Sequence, residues 1–241
     1  MIPPLEPDAG APPASEPSVS IGPVEVVPTV RIAARDPRIA DRRPRSRAAV
    51  LGEAQAVERQ LARTPKTAPD RADLLRRQAE AWSQLALTSS GPDAARAWTE
   101  SIKPYVELAT EHPTYPQHDE VHYYLGLAYE LTGDLRNARK AYLEVVVKDP
   151  SSKLVPLAYF AFGEMFFAEG AGDATKNDLA DQAFEKVLSY GATSGVMPDA
   201  LLRIGEIHLR KKEDERARQT FDRLRQLFPT SPAAQQVPDV P

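Results

Sequence analysis

A pattern that occurs three times within residues 119–229 constrains this chain more than any other feature. Gly126, Gly163 and Gly205 each stand in the same succession: a large apolar residue, the glycine, an aromatic or histidine three residues on, a small alanine, an aromatic and an aliphatic. The first copy reads Leu125, Gly126, Tyr129, Ala138, Tyr142, Val145 and a closing Pro150. The second reads Phe162, Gly163, Phe166, Ala180, Phe184 and Val187, with no proline. The third reads Ile204, Gly205, His208, Ala217, Phe221, Leu224 and Pro229. Self-similarity at this period marks stacked units, each too small to bury its apolar face alone. Steps of three and four within each copy are helical. Each copy is therefore expected to be a helix-turn-helix hairpin. The glycine and alanine belong where its two helices touch, since a larger side chain would hold them apart. The aromatic residues are expected to fill the space between successive hairpins, and the proline to end the second helix.

The preceding segment shows the same helical period more loosely. Leu51, Ala54, Val57 and Leu61 share one face of a helix stopped by Thr64-Pro65. Asp70 is placed to cap a second helix with Leu74, Leu75, Ala79, Trp82 and Leu85 on its apolar side. A third helix runs from about Pro92 to Glu111. These read as an unpaired helix followed by a degenerate hairpin over 70–113. No strand pair with a hairpin turn is visible, so the class is all-α. Residues 1–46 differ in kind. They hold ten of the 23 prolines and no sustained apolar period, which predicts a disordered, partly extended arm. Its first thirty residues carry four acids and no base, and residues 31–47 carry seven arginines against Asp36 and Asp41. That stretch reads as a solvated linker, with contact to anionic lipid or nucleic acid as the alternative. The expected organisation is an arm over 1–46 and a repeat domain over 47–232, with repeats at 119–150, 156–192 and 198–229.

The glycine-centred pattern resembles tetratricopeptide repeats. The resemblance implies an α-solenoid of helical hairpins that holds other protein segments without catalysis. The three glycines lie 37 and 42 residues apart, against about 34 in that family. Three extra residues follow Pro150, three precede Pro198, and five fall in the GAGDATKND loop. The proline-serine joint Pro150-Ser-Ser152…Pro156, echoed by FPTSPAAQQV at 228–237, resembles bacterial cell-envelope tetratricopeptide proteins of the Tol-Pal coordinator and outer-membrane assembly lipoprotein types. The opening at 64–75 resembles myxobacterial envelope repeat proteins. A periplasmic or envelope location is the expectation these resemblances carry, and a cytoplasmic regulator or co-chaperone the alternative. The chain shows no lipobox cysteine, leader or apolar run long enough to span a bilayer.

In tetratricopeptide stacks the first helices of the hairpins line the concave face. The resemblance assigns to it Glu120, Tyr123, Leu127 and Glu130; Leu157, Phe160, Glu164 and Phe167; and Asp199, Leu202, Glu206 and Leu209. It implies an apolar groove with an acidic rim, suited to protein or peptide segments that carry Lys or Arg beside apolar residues. The same residues could instead pack against a C-terminal tail or a second copy. The arm segment 24–35 has the composition of such a partner.

Other motifs read blandly. HDEVH (118–122) places two histidines four apart, a spacing that can share a zinc ion, but Asp119 stands where a zinc peptidase needs Glu, so a structural or surface role is expected, with metal binding as the alternative. DATKND (173–178) lacks the glycine and the closing Glu of a calcium loop. GATSG (191–195) lacks the lysine of a phosphate cradle. No acid, base and nucleophile assemble, so no enzyme activity, metal or cofactor is expected. Net charge is −4, which argues against general nucleic-acid binding.

Overall fold

The computed structural model of the protein describes residues 45–191 and 194–240. Among them the chain is helical, without strands: α1 (Arg47–Leu61), α2 (Arg71–Leu87), α3 (Gly91–Glu111), α4 (His118–Leu131), α5 (Leu135–Lys148), α6 (Val155–Glu169), α7 (Thr175–Ser189), α8 (Met197–Arg210), α9 (Asp214–Leu227) and the short α10 (Pro232–Gln235). The all-α solenoid is the observed architecture. Each helix packs chiefly on the one before and the one after, and α8 also touches α6. Residues 1–44 of the expected arm, with the segment 24–35 and most of the arginine stretch, lie outside the described residues, as do Ala192 and Thr193 of GATSG.

The helix at 47–61 has a partner. α1 buries Val50, Ala54, Val57 and Leu61 and packs on α2, so it is not the unpaired helix that was expected. Ser46 caps α1 by accepting a hydrogen bond from the Ala49 amide at 3.3 Å. Asp70 does occupy the N-cap of α2, but its side chain makes no capping bond.

The turns inside the first and third glycine repeats are built alike. The Asp134 amide donates to the Tyr129 carbonyl and the Glu213 amide to the His208 carbonyl, both at 2.9 Å. Each turn needs one residue in the left-handed region. The first repeat supplies Gly133 at φ 85°, whereas the third uses Lys212 at φ 60°. A side chain there costs about 1 kcal/mol. Lys212→Gly is accordingly expected to stabilise the protein by up to about 1 kcal/mol, read as a higher urea midpoint.

The packing around the three glycines departs in one respect from the expectation. A Cβ built on Gly126 would stand 2.8 Å from the Tyr142 ring, and Gly163 and Gly205 face Phe184 and Phe221 more closely still. Tyr142, Phe184 and Phe221 are fully buried. The aromatic residue of the second helix therefore lies flat on the glycine of its own hairpin. It is the wedge inside the unit as well as the filler between units, since Tyr142 also approaches Phe162 of the next hairpin (6.3 Å between ring centroids). The five extra residues between Gly163 and Ala180 are shared out. Measured against the first repeat, α6 gains one residue at its end, the turn two, and the start of α7 two. The Gly163–Phe184 contact survives the insertion.

Candidate functional site

The inner face of the stack is formed where α4, α6 and α8 follow one another. The twelve assigned positions do not all reach it. Tyr123 and Leu127 are fully buried, and Leu157, Phe160 and Leu202 are nearly so. Tyr123 meets Tyr142 at 5.5 Å, and Phe160 meets Phe184 at 5.4 Å, so both belong to the cores of their own hairpins. Leu202 and Leu209 share an apolar cluster with Val237 and Val240 of the C-terminal segment. The open apolar groove is thus corrected: in this arrangement only Phe167 and Leu209, both half-buried, remain as apolar residues at the surface of the assigned set.

The carboxylates of the set are engaged within the chain. Arg203 on α8 reaches back to Glu164 on α6 at 2.6 and 3.3 Å, and holds Glu206 on its own helix at 2.6 Å. Arg76 on α2 joins Glu120 on α4 and Glu80 on α2. Glu130 accepts a hydrogen bond from the Tyr142 hydroxyl at 2.8 Å. Asp199 is half-buried at the start of α8. These arginine–carboxylate bridges run between first helices one repeat apart and were not foreseen. The signal was available, since Arg76–Glu120 and Glu164–Arg203 are separated by about one repeat length. Phe167 lies between two guanidinium groups, Arg203 at 4.7 Å and Arg210 at 3.4 Å from the ring centre. Arg210 also donates to the Phe167 carbonyl and to Asn177 Oδ1.

The two histidines of HDEVH come together. α4 begins at His118 itself, and this sets both rings on one helix face. Their Nε2 atoms are 2.9 Å apart and the ring centroids 4.2 Å. His122 is 7% exposed, and its Nδ1 is buried without a partner. Burial, then the neighbouring His118, pushes its pKa down to about 4, with Lys148 acting in the same sense and Glu144 against it. The folded protein thus keeps His122 neutral where the unfolded chain, with a pKa near 6.5, takes up a proton. Stability is complete above that value, falls as pH drops below it, and stops falling near pH 4. A difference of that size is worth about 3 kcal/mol. Urea midpoints at pH 7.5 and 4.5 should show this loss in the wild type and much less of it in His122→Gln. Equal losses in the two proteins would refute it.

Among the described residues, no group of three or more His, Asp or Glu is placed to hold a metal ion, and no helix is long and apolar enough to cross a membrane.

Comparison with known families agrees with this architecture. Two family models, both described as tetratricopeptide repeat, match residues 81–153 and 199–231. These stretches take in the first and third glycine repeats, and the insertion-bearing middle repeat lies between them. The matches support membership of the tetratricopeptide-repeat family, whose repeats generally mediate protein–protein interaction and are typically non-catalytic. No curated protein matches the chain.

Proposed function

We propose that this protein is a non-catalytic adaptor that holds a segment of a partner protein along the inner face of α4, α6 and α8. The observation that carries the reading is the tetratricopeptide stack itself. On this reading its first helices present Phe167, Leu209 and a row of glutamates from successive repeats on one side. Partner recognition is assigned to Phe167 and Leu209 as apolar contacts and to Glu120, Glu130, Glu164 and Glu206 as the charged margin. Because Arg76 and Arg203 already engage three of these carboxylates, a basic partner competes with internal arginines. Its charge therefore affects the rate of encounter more than the final affinity. A cell-envelope setting is supported by the proline-serine joints. In the structure Ser231 caps α10 ahead of Pro232 by accepting from the Ala234 amide, and Ser152 accepts from the Leu154 amide ahead of Pro156.

The test is to isolate partners with the full chain as bait and compare Phe167→Ala/Leu209→Ala with the wild type. Loss of the partner without loss of helical circular dichroism is expected. Undiminished binding by the double variant rules out this face. A chain starting at residue 47 adds a second comparison: tighter binding than the full chain is the result required if segment 24–35 competes for the site.

A further inference from the structure

His118 and His122 are the most concentrated unused chemistry in the molecule. Neither belongs to the face assigned to partners. Both belong to α4, and His122 lines a cleft of about 370 Å³ between α3 and α5, floored by Leu125 and Tyr129. Glu144 and Lys148 of α5 line the same cleft.

Their geometry is that of a chelating pair. Two nitrogen ligands each about 2.05 Å from a divalent ion lie about 2.9 Å apart at the right angle of Cu²⁺ or Ni²⁺ coordination, and about 3.3 Å apart at the tetrahedral angle zinc prefers. The two Nε2 atoms are 2.9 Å apart. A hydrogen bond between the rings explains the distance equally well in the metal-free protein, with one ring donating and the other accepting. The tautomer is not pinned from the far side, however, because Nδ1 of His122 has no partner. Ligation through Nε2 leaves the Nδ1–H of His122 buried without an acceptor, so the site lacks the outer partner that usually orients a ligating imidazole, and the ion must offset that cost.

The surroundings act in both directions. Asp119 and Glu144 favour a cation electrostatically, and Lys148 opposes it. The Lys148 ammonium holds Glu144 at 2.8 Å. An ion at the histidines competes for that carboxylate, which makes Glu144 the third ligand to recruit from α5, with water filling the rest.

We propose that His118 and His122 form an open two-histidine site for a borderline divalent ion, Zn²⁺, Cu²⁺ or Ni²⁺, completed by water and by Glu144 released from Lys148. The ion clips the first turn of α4 to α5.

The experiment is calorimetric titration of the full, tag-free chain with Zn²⁺ alone, and separately Cu²⁺ and Ni²⁺, at pH 7.5. One equivalent should bind, and the melting temperature should rise with it. His118→Ala, which leaves the buried ring in place, should weaken binding by roughly tenfold or more. Lys148→Met should tighten it, and Glu144→Gln should weaken it less than His118→Ala does. The proposal is overturned if no equivalent of any of the three ions binds, or if His118→Ala binds as the wild type does. His122→Ala is confirmatory only if its circular dichroism is native.

Discussion

Gly205→Leu should destabilise the protein by about 3 kcal/mol, a fall in melting temperature of roughly 6–12 °C. A Cβ at this position would already stand 2.6 Å from Cδ1 and Cζ of Phe221, and closer still to Cε1. Phe221 is fully buried under α8 and α9 and has nowhere to retreat. The same substitution at Gly163 and Gly126 should cost progressively less, because the gap to Phe184 and then to Tyr142 widens in that order. Phe221→Ala alone should cost about 3–5 kcal/mol by leaving a cavity. Combined with Gly205→Leu it should cost less than the two losses together, since each change fills or vacates the same space. Thermal unfolding of the five variants decides. Additive losses, or Gly126 as the most sensitive site, would show that the ring and the glycine are not the fitted pair described above.

Arg203→Ala should be comparably severe, at about 3–5 kcal/mol. The side chains of Arg203 and Glu164 are only 7% and 13% exposed. Removing the guanidinium takes from Glu164 and Glu206 the cation that bonds both, leaving the more distant field of Arg210, and takes from Phe167 one of its two arginine contacts. The alternative explanation is that α6 and α8 hold together by apolar packing and the bridge adds little. Arg203→Met with Glu164→Met separates the two, because replacing a buried pair by apolar groups of similar size is often neutral. The double variant should recover most of the stability lost by Arg203→Ala. If it is as unstable as Arg203→Ala, loss of the arginine from the buried carboxylates is not the cause.

The fold was legible because the glycine–aromatic pairing leaves no freedom of residue type. Only glycine clears a ring lying flat on the helix backbone, so the three copies had to agree there. The inner face was harder to read. Each first helix in a solenoid is enclosed by its own partner helix and by units on both sides, so its buried surface is far wider than one stripe. In α4 the eight residues from Val121 to Ala128 are all buried. A rule that assigns fixed positions to an open groove cannot distinguish Tyr123, which faces the hairpin core, from Phe167, which does not. The pairing of α1 with α2 was missed for a related reason. Its partner surface has no glycine or wedge, only Val50, Ala54, Val57 and Leu61, which carry no information about what covers them.

A stack of like units always has two terminal faces, and an apolar terminal face is an invitation to the next molecule. Here α10 rests on α8 and α9, and Val237 and Val240 add to the same apolar cluster as Met197, Leu201 and Phe221. Head-to-tail growth into a fibre needs a free surface at both ends of every copy. The short segment after α9 covers the apolar surface of α8 and α9, so within the described residues that face is spent on the chain's own tail and is not open to an end-on contact.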